Sequence, residues 1–500
     1  MNHLQFAPPC KLTIFHWLGL FCFSFFLLTF LSPDSFLTHL CAHRCDSAWF
    51  FTCGKAWMEG MTPYIDFADS KGPLLWLIYG IGYLLSPTSY LGVFWLSALS
   101  YTVTFAAVWR TARFYVGQRE SLLVFVIMPA MIFYRGVHEE VRAEDFCLPW
   151  ICIGLYCTCR ALMSSKATSI KKYAFWLGIG MAWCLLIKWN LFVLMGGMAL
   201  VMLGVSLSRK RIDALLFGLI GIFVLILPFA IYFLWKGNMT AMIKEYFVNT
   251  FLITGHGNGP ENDSVFSTIL TNRMSACCTI MLVGIFAGIF LFCRRFRVSY
   301  WLIFTYVPFF IFLGIYPSIS HYFSIIMPFS IFFLLTIVEC YSILINRCPQ
   351  IAFGFALTYF FLGGTAYNTR WSRFVFFPSE DQERWDEVQS VLRGKERPLI
   401  LTGVRDHGYG ILSHALPACK YWALQLNASP DMIEERHQAI KARKPDFVLV
   451  ISKGNYMKET QRRDPLLFTI LKESGYNPCH ITIIKNGKAI KKTVPVYAKE

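Results

Sequence analysis

Long apolar stretches recur from Leu12 to about Ala366 and are separated by short polar connections. A helix rises about 1.5 Å per residue, so roughly 20 apolar residues cross the roughly 30 Å hydrocarbon core of a bilayer. The pattern therefore predicts a polytopic α-helical membrane protein with about eleven transmembrane helices. We expect these helices at 12–32, 90–109, 121–134, 146–163, 173–189, 191–207, 214–235, 274–293, 299–316, 323–345 and 350–367.

Two apolar stretches near the N-terminus need separate consideration. The stretch 12–32 is longer than the apolar region of roughly 7–15 residues in a signal peptide, and no clear cleavage site follows, so we expect a retained helix. The run Leu74–Leu85 is short and predicts a re-entrant or surface helix. Composition agrees with a membrane protein, because only 15% of the residues are charged, against about 25% in average soluble chains.

Charge orients the chain in the membrane. If the N-terminus is cytoplasmic and Leu74–Leu85 does not cross, the cytoplasmic connections hold 15 Lys and Arg against two acids. The connections on the opposite side hold eight basic and 12 acidic residues. This asymmetry follows the positive-inside rule. It predicts that the first outer loop, 33–73, the connection at 135–145 and the C-terminal tail share the outer face of the cytoplasmic (inner) membrane.

The tail at 369–500 contains no apolar stretch long enough to span a membrane. Strand-like segments at 398–404 and 446–452 enclose a stretch with helical spacing at 431–444. This alternation predicts a transmembrane domain over 1–368 followed by a small outer-face α/β domain. The tail's phrase GVRDHGYG lacks the GxGxxG spacing, which disfavours a nucleotide site. A docking or acceptor-guiding role fits better, and the tail's excess of basic residues suits an anionic surface or a solvated face equally well.

The first outer loop carries candidates for chemistry. Asp46 lies early in the loop, where a carboxylate can act as a general base, cap a helix or face solvent. The segment PYIDFADSKGP, 63–73, places Lys71 directly before an apolar run. The ammonium there can bind a phosphate or simply snorkel to the membrane surface. Asp66 and Asp69 can hold a divalent cation or close a turn.

A second cluster lies between two predicted spans in the sequence HEEVRAED, 138–145. Arg142, Glu144 and Asp145 belong to it, and the flanking spans would hold them at the membrane boundary. The alternative is a short solvated loop. Lys188 lies near the outer end of its span, where a lysine most often snorkels.

The sequence YPSISHYF, 316–323, forms a third short outer connection. It places His321 and Tyr322 at the mouth of a span. Tyrosine is routine in an interfacial aromatic belt, whereas the histidine can contact a phosphate or a metal. His256 lies in another loop of the same predicted face.

The chain has 17 cysteines, and many of them lie in predicted spans, where cysteine behaves as a small apolar residue. Cys45 with Cys53, and Cys419 with Cys479, can form disulfides if the outer side is oxidising. Spacing alone leaves both pairings open.

An aspartate in the first outer loop, followed by PY-x-D-x-x-D-x-KGPL ahead of a short apolar run, resembles a known family. The pattern is similar to the polyprenyl-phosphate-sugar-dependent glycosyltransferases of the GT-C superfamily. The resemblance is to the branch of protein O-mannosyltransferases and the aminoarabinose transferase of lipid A, and it covers essentially the whole chain. It implies a GT-C-like transmembrane core with a C-terminal outer-face domain.

The resemblance implies a role for each residue that matches by position. Asp46 matches the first-loop aspartate that is taken as the catalytic base or as the group that orients the acceptor, and Lys71 matches the lysine that binds the donor phosphate. Glu144 matches an acidic residue that assists the site. The segment His321–Phe323 resembles one that approaches the lipid phosphate, with Tyr322 beside the histidine. Supporting roles are expected for Asp66, Asp69, Arg142 and Asp145.

The activity implied is transfer of a sugar from a polyprenyl-phosphate donor to a lipid, glycan or protein acceptor, with inversion. The expected partners are the donor, the acceptor and membrane lipids, and we expect no nucleic acid. No cofactor follows with certainty, and a divalent metal is possible. Relatives often carry an acid directly before the lysine, where this chain has Ser70.

Two alternatives stay open at this point. A transporter or flippase would carry ionisable groups near the membrane midplane and broken, repeated helices. The predicted spans are nearly free of charge, and the acids concentrate at one surface, which favours surface chemistry. A ligase acting on lipid-diphosphate glycans keeps the transferase chemistry and changes the donor.

Overall fold

The structure is a computed structural model, and it describes most of the chain with gaps. The helix predicted at 350–367 and the candidates His256, His321 and Tyr322 lie outside the described residues. The described residues are 12–31, 45–132, 142–164, 166–249, 273–309, 323–347, 380–403, 408, 410–411, 413–424, 428–450, 460–485 and 488–499.

Helices form the described part of the chain up to residue 347. A π-helical segment covers Ile243–Asn249, and 3-10 turns cover Tyr300–Thr305 and Met327–Phe329. The α-helices are α1 Ile14–Leu31, α2 Cys45–Met58, α3 Pro73–Leu85, α4 Leu91–Tyr115, α5 Gln118–Ile132, α6 Ala143–Met163, α7 Ala167–Ile187, α8 Trp189–Ser208, α9 Asp213–Trp235, α10 Met239–Met242, α11 Arg273–Phe296, α12 Phe323–Ile326 and α13 Ser330–Arg347.

Several of these helices have the character of membrane spans. Within the described residues, α4, α6, α7, α8 and α9 are long and apolar enough to cross a bilayer. The prediction of a multi-pass helical membrane protein is confirmed, while the number of eleven spans stays a prediction. The run Leu74–Leu85 forms the 13-residue α3, as the pattern indicated. The span expected at 299–316 begins as a 3-10 turn instead, at Tyr300–Thr305.

The chain divides into two compact units. The first consists of Met1–Pro33, Ser97–Ile231 and Asn258–Trp371, and the second of Asp34–Leu96, Tyr232–Gly257 and Ser372–Glu500. The second unit therefore draws the first outer loop and the tail from opposite ends of the sequence. The simpler division at residue 368 stays a prediction.

Close helix packing in the first unit depends on glycine. A Cβ added at Gly178 of α7 would lie 2.0 Å from the carbonyl oxygen of Gly218 in α9, and one at Gly221 would lie 2.2 Å from that of Phe175. Real Cβ atoms do not approach an oxygen so closely, so only glycine allows the two backbones to meet. Small residues are the usual means of helix association inside a membrane, because apolar surface alone does not favour association when the surrounding lipid is equally apolar.

One end of the first unit is rich in basic groups. The Arg160 guanidinium lies 4.3 Å from the Phe114 ring centroid, and that of Arg110 lies 5.6 Å from the Tyr156 ring. Arg209 donates to the Leu162 carbonyl at 2.6 Å. These residues belong to connections predicted to be cytoplasmic, and their side of the membrane stays a prediction.

In the second unit, α2 packs along α3. A Cβ at Gly54 would lie 2.5 Å from the Gly80 nitrogen, so the two helices touch backbone to backbone there. The Phe50 and Tyr79 rings meet edge to face at 5.5 Å. The residues from Ser47 to Ala56 are all buried, which makes α2 an interior helix of this unit.

The tail forms a five-stranded sheet, and its strands lie in the order β2 (Leu416–Pro417), β1 (Leu399–Thr402), β3 (Phe447–Leu449), β5 (Lys488–Lys499) and β4 (Tyr476–Lys485). The strands β1, β2 and β3 are parallel, while β5 runs antiparallel to both β3 and β4. The core beneath the sheet includes Leu401, Ile440 and Val448. The elements are α14 Glu380–Leu392, β1 Leu399–Thr402, β2 Leu416–Pro417, α15 Pro430–Lys441, β3 Phe447–Leu449, α16 Leu467–Glu473, β4 Tyr476–Lys485 and β5 Lys488–Lys499.

The α/β alternation of the tail agrees with the sequence, but β5 was not predicted. Its sequence contains four lysines and Pro495, and both residue types are depleted in strands. The strand forms because it is hydrogen-bonded on both sides. It pairs with β4, beginning where Lys488 lies opposite Lys485, and with β3, where Ala498 lies opposite Phe447. The free thiols of Cys53, Cys419 and Cys479 show that neither proposed disulfide is present.

Asp446 joins three parts of the tail. Its carboxylate lies 2.5 Å from the Lys395 ammonium and 2.7 Å from that of Lys499, and accepts the Leu399 N–H at 2.9 Å. Burial acts to raise the pKa of Asp446, but the Leu399 N–H and the two ammonium groups outweigh it and hold that pKa below its usual value. The carboxylate therefore stabilises the tail while it is ionised.

We expect Asp446→Asn to lower the free energy of unfolding of the tail by about 1–3 kcal/mol, because two charge-assisted hydrogen bonds are lost. Pulse proteolysis of the full chain in urea, scored within 380–499, measures this change. The exposed Glu396 provides the control Glu396→Gln. Because the folded pKa is lowered, the difference should be full above about pH 4 and shrink as the pH falls through the folded value. An undiminished difference at pH 3 would contradict this account.

Candidate functional site

Asp46 lies in the first turn of α2. The free N–H groups and the dipole of a helix N-terminus favour a carboxylate at this position. Asp46 is partly exposed, whereas the residues that follow it are buried. In the described part of the chain no side chain forms a hydrogen bond or ion pair with its carboxylate.

Lys71 lies at the same end of α2. Its ammonium is 5.5 Å from the centroid of the Phe50 ring, and Phe50 follows Asp46 by one helical turn. Positions i and i+4 share one face of a helix, so Lys71 approaches a residue on the face of α2 that also carries Asp46. The Lys71 side chain is 17% exposed. Both residues belong to the predicted first outer loop, and in the structure Lys71 contacts the helix that carries Asp46.

A buried tyrosine supports Lys71 from beneath. Tyr64 has a φ of 65°, an uncommon conformation for a residue with a side chain. Its hydroxyl donates to the Lys71 carbonyl at 3.1 Å, and its ring lies 4.6 Å from that of Trp76. Burial, followed by the influence of Tyr246 and Asp69, raises the pKa of Tyr64 well above its usual value. The hydroxyl therefore stays a donor at neutral pH.

The two acids between Tyr64 and Lys71 have different surroundings. Asp66 accepts the Thr62 N–H at 2.6 Å, which closes a turn. Asp69 accepts the Ser70 N–H at 2.6 Å and lies 3.6 Å from the Lys71 ammonium. Among the described residues no group of three acids, histidines or cysteines is arranged to hold a metal ion. These contacts favour roles in shaping the loop and orienting the lysine.

Glu144 forms a buried ion pair in the first unit. Its carboxylate lies 2.6 Å from the Lys188 ammonium, and the two side chains are 4% and 12% exposed. Lys188 is the single residue between α7 and α8, and Glu144 lies in the first turn of α6. From its position at the end of a span, Lys188 was expected to snorkel. A signal for the pair was present in the sequence, because Glu144 and Lys188 both lie at the predicted outer ends of spans.

Asp145 and Arg142 shape the start of α6. Asp145 accepts the Arg142 N–H at 2.7 Å, the geometry of an N-terminal cap, and also accepts the Tyr101 hydroxyl. The Ser100 hydroxyl donates to the Asp145 carbonyl at 2.7 Å. Both oxygens of this carboxylate therefore have partners within the fold, and its position favours a structural role beside Glu144. His321 and Tyr322 lie outside the described residues, so their predicted phosphate contact stays a prediction.

Comparison with known proteins identifies the fold. Residues 70–248 match the family model described as dolichyl-phosphate-mannose-protein mannosyltransferase. The structure is similar to that of ArnT from Cupriavidus metallidurans bound to undecaprenyl phosphate, with 12% identity, a TM-score of 0.62 and coverage of 97% of this chain and 98% of that one. The apo state of that ArnT matches at 12% identity and a TM-score of 0.61, covering 96% and 97%.

A search of curated protein sequences found no significant match. At 12% identity the structural likeness speaks to the fold, while the family model covers the segment that begins just before Lys71. Both findings agree with the resemblance that the first-loop motif carries.

We expect Lys188→Met to destabilise the protein by about 3 kcal/mol, because it removes the ammonium that pairs with the buried Glu144 carboxylate. Adding Glu144→Gln should recover most of the loss. Lys171 supplies the control, since its pair with Asp213 has the same 2.6 Å distance but side chains 32% and 42% exposed. Exposed pairs contribute about 0–1 kcal/mol. Thermal unfolding in detergent measures all three variants, and equal effects of Lys188→Met and Lys171→Met would contradict the prediction.

Proposed function

We propose that this chain is an integral membrane glycosyltransferase of the GT-C superfamily. It transfers a sugar from a polyprenyl-phosphate donor to a lipid, glycan or protein acceptor on the outer face of the membrane. The observation that carries the proposal is that the Lys71 ammonium lies 5.5 Å from the ring of Phe50, on the helix whose first turn carries Asp46. A carboxylate and an ammonium at one end of a buried helix match the two charges that such a transfer requires.

The reaction is a displacement at the anomeric carbon of the sugar. The acceptor oxygen or nitrogen forms a new bond to this carbon while the bond to the phosphate oxygen breaks, and the electron pair leaves with the phosphate. Attack from the opposite face inverts the configuration. Asp46 takes the proton of the acceptor as a general base.

Lys71 stabilises the negative charge that grows on the leaving phosphate. A preorganised ammonium in a site with little water is worth far more than one in bulk solvent. The contacts with Asp69, Ser70 and Phe50 support this role, because they hold the flexible side chain before the donor arrives. The order of the loop is therefore part of the proposed catalysis.

The proposed location and the comparisons support one class of donor. The ArnT structure with the same fold contains undecaprenyl phosphate, and the family model is described by a dolichyl-phosphate sugar. We assign this chain a polyprenyl-phosphate donor on the same grounds. The proposed outer-face location agrees, because nucleotide sugars are cytoplasmic. The N-terminus is cytoplasmic in this proposal, and the tail lies on the outer side.

Glu144 is proposed as an assisting carboxylate, with Arg142 and Asp145 shaping its helix start. The ion pair with Lys188 supports the assignment, since a buried pair at the end of a span costs free energy and is retained where it has a use. No observation in the described residues favours the transporter or the lipid-diphosphate ligase over the proposed transferase.

We expect Asp46→Asn to lower the rate of transfer by about 10²–10⁴-fold, the usual contribution of a general base. Lys71→Met should lower it by about 10²–10³-fold, because the leaving phosphate loses its counter-charge. The measurement is transfer of a radiolabelled sugar from polyprenyl-phosphate donors in membranes, with folding checked by thermal unfolding. Lys236→Met, which changes an exposed lysine in the same unit, is the control and should retain activity.

Two outcomes would overturn the proposal. If both variants are folded and keep full activity, the site is wrongly placed. If the unaltered protein consumes no lipid-linked donor, the transferase assignment itself fails.

A further inference from the structure

Glu245 is a buried acid that the chemistry above does not use. It lies in the π-helical segment Ile243–Asn249, and its side chain is 4% exposed. A π-helix is rare and is frequently found at functional sites, because the wider turn redirects a side chain. A buried carboxylate also requires partners, and those partners connect Glu245 to the Lys71 loop.

Residues from the tail donate to both oxygens of Glu245. The Lys420 ammonium lies 2.5 Å from Oε1, and the Tyr421 hydroxyl lies 3.0 Å from each oxygen. Asn249 donates to Oε2 at 2.9 Å from within the same segment. Burial and the nearby Glu245 carboxylate raise the pKa of Tyr421, so the phenol remains a donor at neutral pH. Glu245 therefore fixes two consecutive tail residues in place.

The same tail residues hold the loop that carries Lys71. The Lys420 carbonyl accepts the Ala68 N–H at 2.9 Å. Ala68 also packs with Tyr421 and Met432 in a small buried cluster. Lys71 follows Ala68 by three positions, and Asp69, which pairs with the lysine, comes directly after Ala68.

A second hydrogen bond joins the start of the Lys71 loop, at Pro63, to the residues just before the π-helix. The Asn238 amide, five residues before the π-helix, donates to the Pro63 carbonyl at 3.0 Å. The stretch from Asn238 to Glu245 thus reaches the loop directly at Pro63 and, through Lys420, at Ala68. Both attachments use the backbone of the loop, so they set its path and leave its side chains available.

We propose that Glu245 is a positioning residue for the donor phosphate. It fixes Lys420 and Tyr421, their backbone fixes Ala68, and Ala68 sets where the Lys71 ammonium lies. The inference rests on the proposed function and deepens it, because it makes the tail part of the donor site. Glu245 itself touches no substrate in this assignment.

Asp446 gives a matched comparison within the same unit. It is also a buried carboxylate with two ammonium partners, but its contacts stay inside the sheet of the tail. Changing Asp446 should loosen the tail without moving the loop. Changing Glu245 should act on the loop in particular.

The test measures binding of undecaprenyl phosphate, without a sugar, to the full chain in detergent, together with Michaelis constants for donor and acceptor. We expect Glu245→Gln to weaken binding and raise the donor KM by about tenfold while the acceptor KM stays within about twofold. Tyr421→Phe should give a smaller change in the same direction. The exchanged pair Glu245→Lys with Lys420→Glu should recover most of the affinity, because the ion pair is restored with opposite polarity.

The outcomes separate this inference from the proposed function. If Lys71→Met weakens lipid binding and Glu245→Gln does not, the positioning role is wrong and the function stands. If Glu245→Gln and Asp446→Asn have equal effects on the donor KM, Glu245 acts through general stability, which also overturns the role. If the unaltered protein binds no undecaprenyl phosphate, the proposed donor fails first.

Discussion

The contact between Gly54 of α2 and Gly80 of α3 is the constraint on which the proposed site depends. With the backbones this close, the Phe50 ring packs against Tyr79 and its position is fixed. Asp46 is fixed by the same helix one turn earlier, and Lys71 approaches the ring from just before α3. A larger residue at either glycine would separate the helices and, with them, the carboxylate from the ammonium.

Among the described residues, several charged groups are buried where a partner offsets the cost of desolvation. Glu144 has Lys188, and Glu245 has Lys420 with Tyr421. Lys55, in the middle of α2, is fully buried and donates to the Gly410 carbonyl at 2.6 Å. Each pairing restricts two chain segments at once. The buried charges therefore fix the relative positions of the elements that they join, whereas apolar surfaces alone would allow these elements to slide.

The sequence predicted what depends on local pattern. Apolar periodicity located most helices, and the motif from Pro63 to Leu74 located Lys71, because turn residues and an apolar run are neighbours in sequence. Pairings across long separations left no such pattern. Glu144 and Lys188 are 44 residues apart, and Glu245 and Lys420 are 175 apart. Lys55 reads as an exposed helical lysine, and only the tail packed over α2 explains its burial.

The position of α2 also bears on how the site is assembled. One side of the helix packs on α3, which follows within 15 residues, whereas Lys55 and Trp49 contact Gly410 and Trp422 from the end of the chain. Contacts of such large sequence separation form late, since the loop they close is long. The helix that carries Asp46 therefore completes its packing only after the tail has folded. The tail is therefore not a separate domain in this arrangement, because its residues Gly410 and Trp422 also cover the proposed catalytic helix.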